Sequence, residues 1–164
     1  MKYLLIVSIL LSFPLIAETV KDRAENDEVT FVEKDDPYML KAFEKAKQTL
    51  IPFVKKYQGT SDKQNYFLKV GIRDGENVEY FWVGNFSILG ENAFSGEIGN
   101  RPRLVQNVAL GELVKFSRDD IFDWMYFEDN KMHGNFTACA MLVYEPISQQ
   151  EEFKKTYGLE CDIL

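Results

Sequence analysis

From Met39 onward, apolar residues recur at every third or fourth position. Met39, Ala42, Phe43, Ala46 and Leu50 form one stripe of a helix, and Lys41, Glu44, Lys45 and Lys47 take its wet side. Asp36 is placed to cap this helix, and Pro37 suits its first position, where a missing N–H costs nothing. Pro52 lacks a backbone donor and crowds the preceding turn, so the helix is expected to kink or break there. Phe53, Val54 and Tyr57 predict about one further turn, ended by Gly59 and the polar run from Thr60 to Gln64. Beyond it the period falls to two. Tyr66, Leu68, Val70 and Ile72 alternate with Phe67, Lys69, Gly71 and Arg73, and Asp74-Gly75 signals a hairpin. Val78 to Val83 is apolar on both sides and reads as a central strand. Phe94, Gly96 and Ile98 predict another strand, and Val114 and Phe116, after Gly111, one more.

The last strands are predicted as a hairpin of Asp123 to Phe127 and Met132 to Tyr144 around Asp129-Asn130. Phe136, Ala138, Ala140 and Leu142 would share one face, and Thr137, Cys139, Met141 and Val143 the other. Ser148 and Glu151 have the spacing of a capping box for a closing helix, with Phe153 and Tyr157 on one side and Gly158 as its stop. Helix, antiparallel strands, helix is an α+β order: a sheet of about five to six strands with an N-terminal helix and a short C-terminal one. The strand–helix alternation that builds a parallel nucleotide-binding sheet is missing, and the chain contains no internal repeat.

The first residues change the picture from fold to compartment. Lys2 precedes a run from Leu4 to Ile16 that is shorter than the roughly 20 apolar residues of a membrane span. Ser8, Ser12 and Pro14 weaken it further as a span. The segment reads as a secretory signal, residues 1–17, cut after Ala17; the alternative is an uncleaved anchor. No Cys follows the apolar run, which argues against a lipid anchor. An acidic, flexible lead-in over 18–28 is expected next, then a single domain over 29–164, with Val29 to Val32 as a short extended segment against it. A periplasmic or secreted location follows.

The net charge of −7 grows more negative once Lys2 is removed. Only Arg101 and Arg103 hint at a basic patch, and no basic neighbours flank them, so neither nucleic acid nor an anionic membrane surface suits this chain as a partner. Cys139 and Cys161 are its two cysteines. In an oxidising compartment their even count allows a disulfide; the other reading is a buried Cys139 and a free Cys161.

Asp36-Pro37-x-Met39-x-x-Ala42, followed by Ala46, Thr49-Leu50 and Phe53, resembles the opening helix of the YegJ-like family of domains of unknown function. Phe81-Trp82-Val83, Phe94-x-Gly96-x-Ile98-x-Asn100-x-Pro102, Gly111, Ile121-x-Asp123-Trp124-Met125-Tyr126, Gly134 and Phe136-Thr137 continue the likeness. It runs from about Val29 to Tyr157, and Asp123 to Tyr126 is its most specific piece. After Thr137 the chain departs from it, with Ala138-Cys139-Ala140 in place of a longer aliphatic and basic stretch. The resemblance implies a small bacterial α+β domain and no particular activity.

Residues suited to chemistry are few. His133 is the single histidine, and an Asp123–His133 pair across the hairpin could serve as acid and base of a hydrolase. No nucleophile elbow accompanies it, and Ser95, Ser117 and Thr137 are unremarkable in context. One His and two distant Cys do not make a zinc site, and Asp119, Asp120 and Asp123 lack an EF-hand loop, so no metal or other cofactor is expected. Ser117 with Asp119 and Asp120 reads more simply as a capped turn. The sharper candidates are Asp123, Trp124 and Tyr126, with Trp82 and Tyr80 on the same face, as a recognition surface. Their plainer reading is core. Asn100 is a further binding candidate whose plainer reading is the geometry of a turn. A non-catalytic module for a protein or small ligand is therefore the leading expectation, and the hydrolase the alternative.

Overall fold

The computed structural model describes Thr19 and residues 35–161. The expected signal segment, the expected lead-in apart from Thr19, and the expected extended segment from Val29 to Val32 lie outside the described residues.

Helix α1 spans Pro37–Gly59. The Asp36 carboxylate accepts the Met39 N–H at 2.7 Å, which satisfies one of the free donors of the first turn. The stripe of Ala42, Ala46, Leu50, Phe53 and Tyr57 is buried. Contrary to expectation, the helix runs through Pro52 without a break. Pro52 and Gln48 are both exposed, so the carbonyl deprived of its partner can bond water. Phe53 and Tyr57 meanwhile anchor the second half of the helix in the core.

Six antiparallel strands follow: β1 (Tyr66–Asp74), β2 (Asn77–Gly90), β3 (Ala93–Ile98), β4 (Leu113–Ser117), β5 (Ile121–Glu128) and β6 (Lys131–Gly134). They lie in the order β4-β3-β2-β1-β5-β6, so β1 and β2 are central. Gly75 turns the first hairpin with φ of 59°. Asp129 and Asn130 turn the last at φ of 50° and 59°, the left-handed pair that a tight hairpin of this twist requires. Between β4 and β5, Arg118–Asp120 make one 3-10 turn whose capping box joins Ser117 and Asp120. The expected capped turn is present.

The segment after β6 departs from its expected strand. Phe136–Leu142 is a helix, α2. Gly134 at φ of 80° and Asn135 at 52° turn the chain out of the sheet. Asp123, a strand away, then accepts the Thr137 backbone N–H at 2.8 Å and serves the new helix as a cap from outside it. Thr137, Ala138, Cys139, Ala140 and Leu142 are all buried, so neither side of this short run is wet. A segment without a polar side gives a two-residue period nothing to register against. Helix α3 covers Ile147–Tyr157. It starts one residue before Ser148, with Pro146 as N-cap and no side-chain cap, so the capping box is not used. Gly158 ends it in the left-handed region as expected.

Two apolar clusters result. The larger joins α1 to β1, β2, β3 and β5 around Leu68, Phe81, Val83 and Trp124. The smaller joins Met132 of β6 to Cys139 and Leu142 of α2, Phe153 of α3 and Leu159. Cys139 and Cys161 are disulfide-bonded with Cα atoms 5.6 Å apart, which ties the chain after α3 back to α2. Among the described residues no helix is long and apolar enough to cross a membrane.

Candidate functional site

Two groups of side chains could carry a function, and β5 contributes to both. The first is a row across the middle of the sheet. Register places Trp82 of β2 and Asp123 of β5 on either side of Lys69 of β1. Trp124 pairs instead with Leu68, the neighbouring residue, so the strand pleat sends the two tryptophans to opposite faces. The single aromatic surface expected of Tyr80, Trp82, Trp124 and Tyr126 is therefore split.

Asp123 is fully buried. Its Oδ1 accepts the Trp124 N–H at 2.8 Å. Its Oδ2 accepts both the backbone N–H and the hydroxyl of Thr137, at 2.8 and 2.7 Å. The same Thr137 hydroxyl oxygen accepts a hydrogen bond from Lys69 Nζ at 2.7 Å. Lys69 Nζ also stands 4.6 Å from the centre of the Trp82 ring, a cation–π distance. One hydroxyl thus links the amine of half-buried Lys69 to a buried carboxylate. Burial holds the Asp123 carboxyl above its ordinary range, against the pull of Lys69 and of the Thr137 and Trp124 hydrogen bonds. Burial likewise holds the Lys69 amine below the ordinary lysine range, with Asp123 opposing. A medium that disfavours charge pushes the acid up and the base down.

The second group is a recess of about 200 Å³ beside the last hairpin, lined by Trp124, Tyr126, Met132, His133, Gly134 and Phe136, with Lys131, Gly158 and Glu160 at its edge. Tyr66, Tyr126 and His133 form a column of three near-parallel rings, with centroids 5.0 and 4.6 Å apart and interplanar angles of 11°. Trp124 stacks on Phe53 at 4.8 Å and meets the edge of Phe136 at 5.3 Å. Its indole N–H points to the Ala46 carbonyl and the Thr49 hydroxyl of α1, at 3.3 and 3.2 Å. Trp124 is thus mainly core and shows only a margin to the recess. Gly134 is obligatory here: a Cβ would lie 2.2 Å from the Trp124 carbonyl oxygen. A wider hollow of about 300 Å³ near Tyr57, Lys63 and Ile88 contains none of the sequence candidates.

Trp124, Tyr126 and His133 are thus brought together, and Asp123 is not with them. Its oxygens are committed to Trp124 and Thr137, while His133 lies on the Tyr126 ring. Asn100 accepts the Trp82 N–H at 3.0 Å through its side-chain oxygen, a contact that shapes the turn after β3. Lys69, Thr137 and Phe136 were not singled out from sequence as site residues. The available signal was a charge at the centre of an otherwise apolar strand, present at Lys69 and again at Glu79. Glu79 is a buried structural acid: its carboxylate accepts the N–H groups of Arg103, Leu104 and Val105 at 2.8–3.1 Å and pins the long β3–β4 loop.

The Uncharacterized protein YegJ of Escherichia coli is 32% identical over 93 residues, covering 57% of this chain and 60% of that protein. A putative ankyrin repeat protein of Neisseria meningitidis serogroup B is 31% identical over 87 residues, covering 53% of this chain and 34% of that protein. The chain therefore spans less than two thirds of either relative's length. No solved structure matches it. The model of the family described as "Uncharacterized protein conserved in bacteria (DUF2314)" matches residues 36–161, from the N-cap of α1 to the second cysteine of the disulfide, and the chain belongs to that family.

Proposed function

We propose that this protein is an exported bacterial domain that works by binding a partner, and that the recess beside β5 and β6 is where the partner is held. The observation that carries the reading is the meeting of Tyr126, His133 and Phe136 around one opening, with the edge of Trp124 behind them. At about 200 Å³ the opening is smaller than a typical small-molecule site and has the size of one inserted side chain. Aromatic anchors of this kind dominate protein recognition, and a net charge of −7 favours approach by a basic partner. Export is supported by the short apolar segment from Leu4 to Ile16 and by the Cys139–Cys161 bond, which persists best where thiols are oxidised. The hydrolase alternative draws no support from the geometry, because Asp123 and His133 do not share a cleft.

Affinity capture from the native envelope with wild-type protein, His133→Ala and Lys131→Glu tests this. Lys131 is an exposed rim residue paired with Glu160 at 3.7 Å, so its change should leave the fold intact. A partner retained by wild type and lost by both variants, each still cooperatively folded at the assay temperature, is expected. Equal retention by all three proteins would remove the recess from the proposal. Intact-mass measurement of the envelope protein should find a chain starting at Glu18; a full-length cytosolic species would remove export.

A further inference from the structure

The ring column beside the recess has a repeat. Tyr66, Tyr126 and His133 are successive register partners on β1, β5 and β6. Their centroids stand 5.0 and 4.6 Å apart with 11° between planes, close to the roughly 4.8 Å that separates neighbouring strands. The column is therefore a ladder that advances one ring per strand. β6 is the last strand of the sheet, so the ladder stops at His133. Among the described residues Tyr126 is the only ring stacked on His133, and half-buried His133 lines the recess. Phe136 supplies a wall across the ladder. The Trp124 plane lies 13° from that of Tyr126, and Phe136 lies 89° from Trp124. A flat ring one step beyond His133 would stack on the imidazole and meet Phe136 edge to face. An aliphatic side chain gains neither contact beyond its burial.

From this arrangement we infer that the partner's anchor is one aromatic side chain, which enters the recess and lies on His133 as the fourth ring of the ladder. The inference rests on the reading that the recess holds a protein partner, and it names the chemistry of the inserted group. The volume of about 200 Å³ has the size of one side chain. The charges at the mouth select neither sign: Lys131 opposes an inserted cation and Glu160 an inserted carboxylate, and the two stand 3.7 Å apart in solvent. What the walls distinguish is a ring with a π face from an apolar group without one. Stacked and edge-to-face contacts add roughly 0.5–1.5 kcal/mol to the burial of an aromatic side chain.

His133 is the only histidine of the chain, so its two carbon-bound imidazole protons can be followed directly by proton NMR. The purified, disulfide-bonded protein is titrated at constant pH with N-acetyl-phenylalanine amide and, separately, with N-acetyl-cyclohexylalanine amide, which has similar bulk and no π system. The phenyl probe should move both His133 signals upfield and saturate, with a dissociation constant on the order of millimolar for a ligand of this size. The cyclohexyl probe should bind about fivefold more weakly, the loss that the missing ring contacts imply. His133 signals that stay in place at tens of millimolar phenyl probe overturn the inference. Equal or tighter binding of the cyclohexyl probe also overturns it and makes the recess a general apolar socket. The titration needs no partner, so the two readings fail separately. Capture that is lost in His133→Ala, with no preference between the probes, removes the aromatic anchor and keeps the recess. Capture unaffected by His133→Ala and Lys131→Glu removes the partner site and this inference with it.

Discussion

Trp124→Ala is the perturbation that most directly tests the assignment of this side chain to the core. Trp124 is 8% exposed, packed between Phe53 of α1 and the edge of Phe136, with its N–H turned to Ala46 and Thr49. A buried aromatic of this size withdraws on the order of 200 Å² from water, worth about 5 kcal/mol at roughly 25 cal/mol per Å². The retained Cβ and partial collapse of the cavity reduce that figure, so a cost of roughly 3–5 kcal/mol is expected, a large share of a small domain's stability. Trp124→Phe separates the parts. It keeps a ring on Phe53 and loses mainly the N–H bond, for about 1 kcal/mol plus a modest packing loss. Urea unfolding followed by far-ultraviolet circular dichroism measures both without relying on the indole signal. A loss below about 1 kcal/mol for the alanine variant would place Trp124 at the surface. Equal losses for Ala and Phe would show that the hydrogen bonds, not the ring, carry the effect.

Glu79→Gln keeps one acceptor oxygen and replaces the other by a donor facing the N–H groups of Leu104 and Val105. It should cost about 1–3 kcal/mol and raise amide exchange across the β3–β4 loop; unchanged protection at Val105 would contradict the anchoring role. For Asp123 the sign is set by its raised folded pKa: the folded protein keeps this proton to higher pH than the unfolded chain, whose ordinary value is 3.8. Its contribution to stability is therefore full below that value and is lost as pH rises through the raised one. The stability of wild type relative to Asp123→Asn should decline as pH rises above 3.8; a constant difference in urea midpoint would refute the sign. His133→Gln loses the stack on Tyr126 at 4.6 Å and should cost roughly 0.5–1.5 kcal/mol, more than a solvated surface histidine; a neutral result would mean the stack does not persist in solution. Replacing Cys139 and Cys161 together by Ser should cost on the order of 3 kcal/mol for a sequence separation of 22, read as a lower thermal midpoint under non-reducing conditions.

Local signals in the sequence were enough for most elements. Asp36-Pro37 begins α1 because a cap and a residue with preset φ act within one turn. Asp74-Gly75 and Asp129-Asn130 place hairpins because left-handed residues are needed only at those tips. The alternation of Tyr66 to Arg73 fixes which face of β1 is buried. Tertiary structure decided what depended on distant partners. Pro52 did not end α1, since Phe53 and Tyr57 are held in the core while Gln48 and Pro52 lie on the exposed side of the helix. Phe136 to Leu142 is helical because the carboxylate of Asp123, 14 residues earlier, accepts the N–H of Thr137. A short run buried on most of its sides carries no period of its own to announce that. The split of Trp82 from Trp124, and the meeting of Lys69 with Thr137 across 68 positions, follow from register and from where α2 docks. Pleat and register are properties of paired strands, so a single strand's sequence does not contain them.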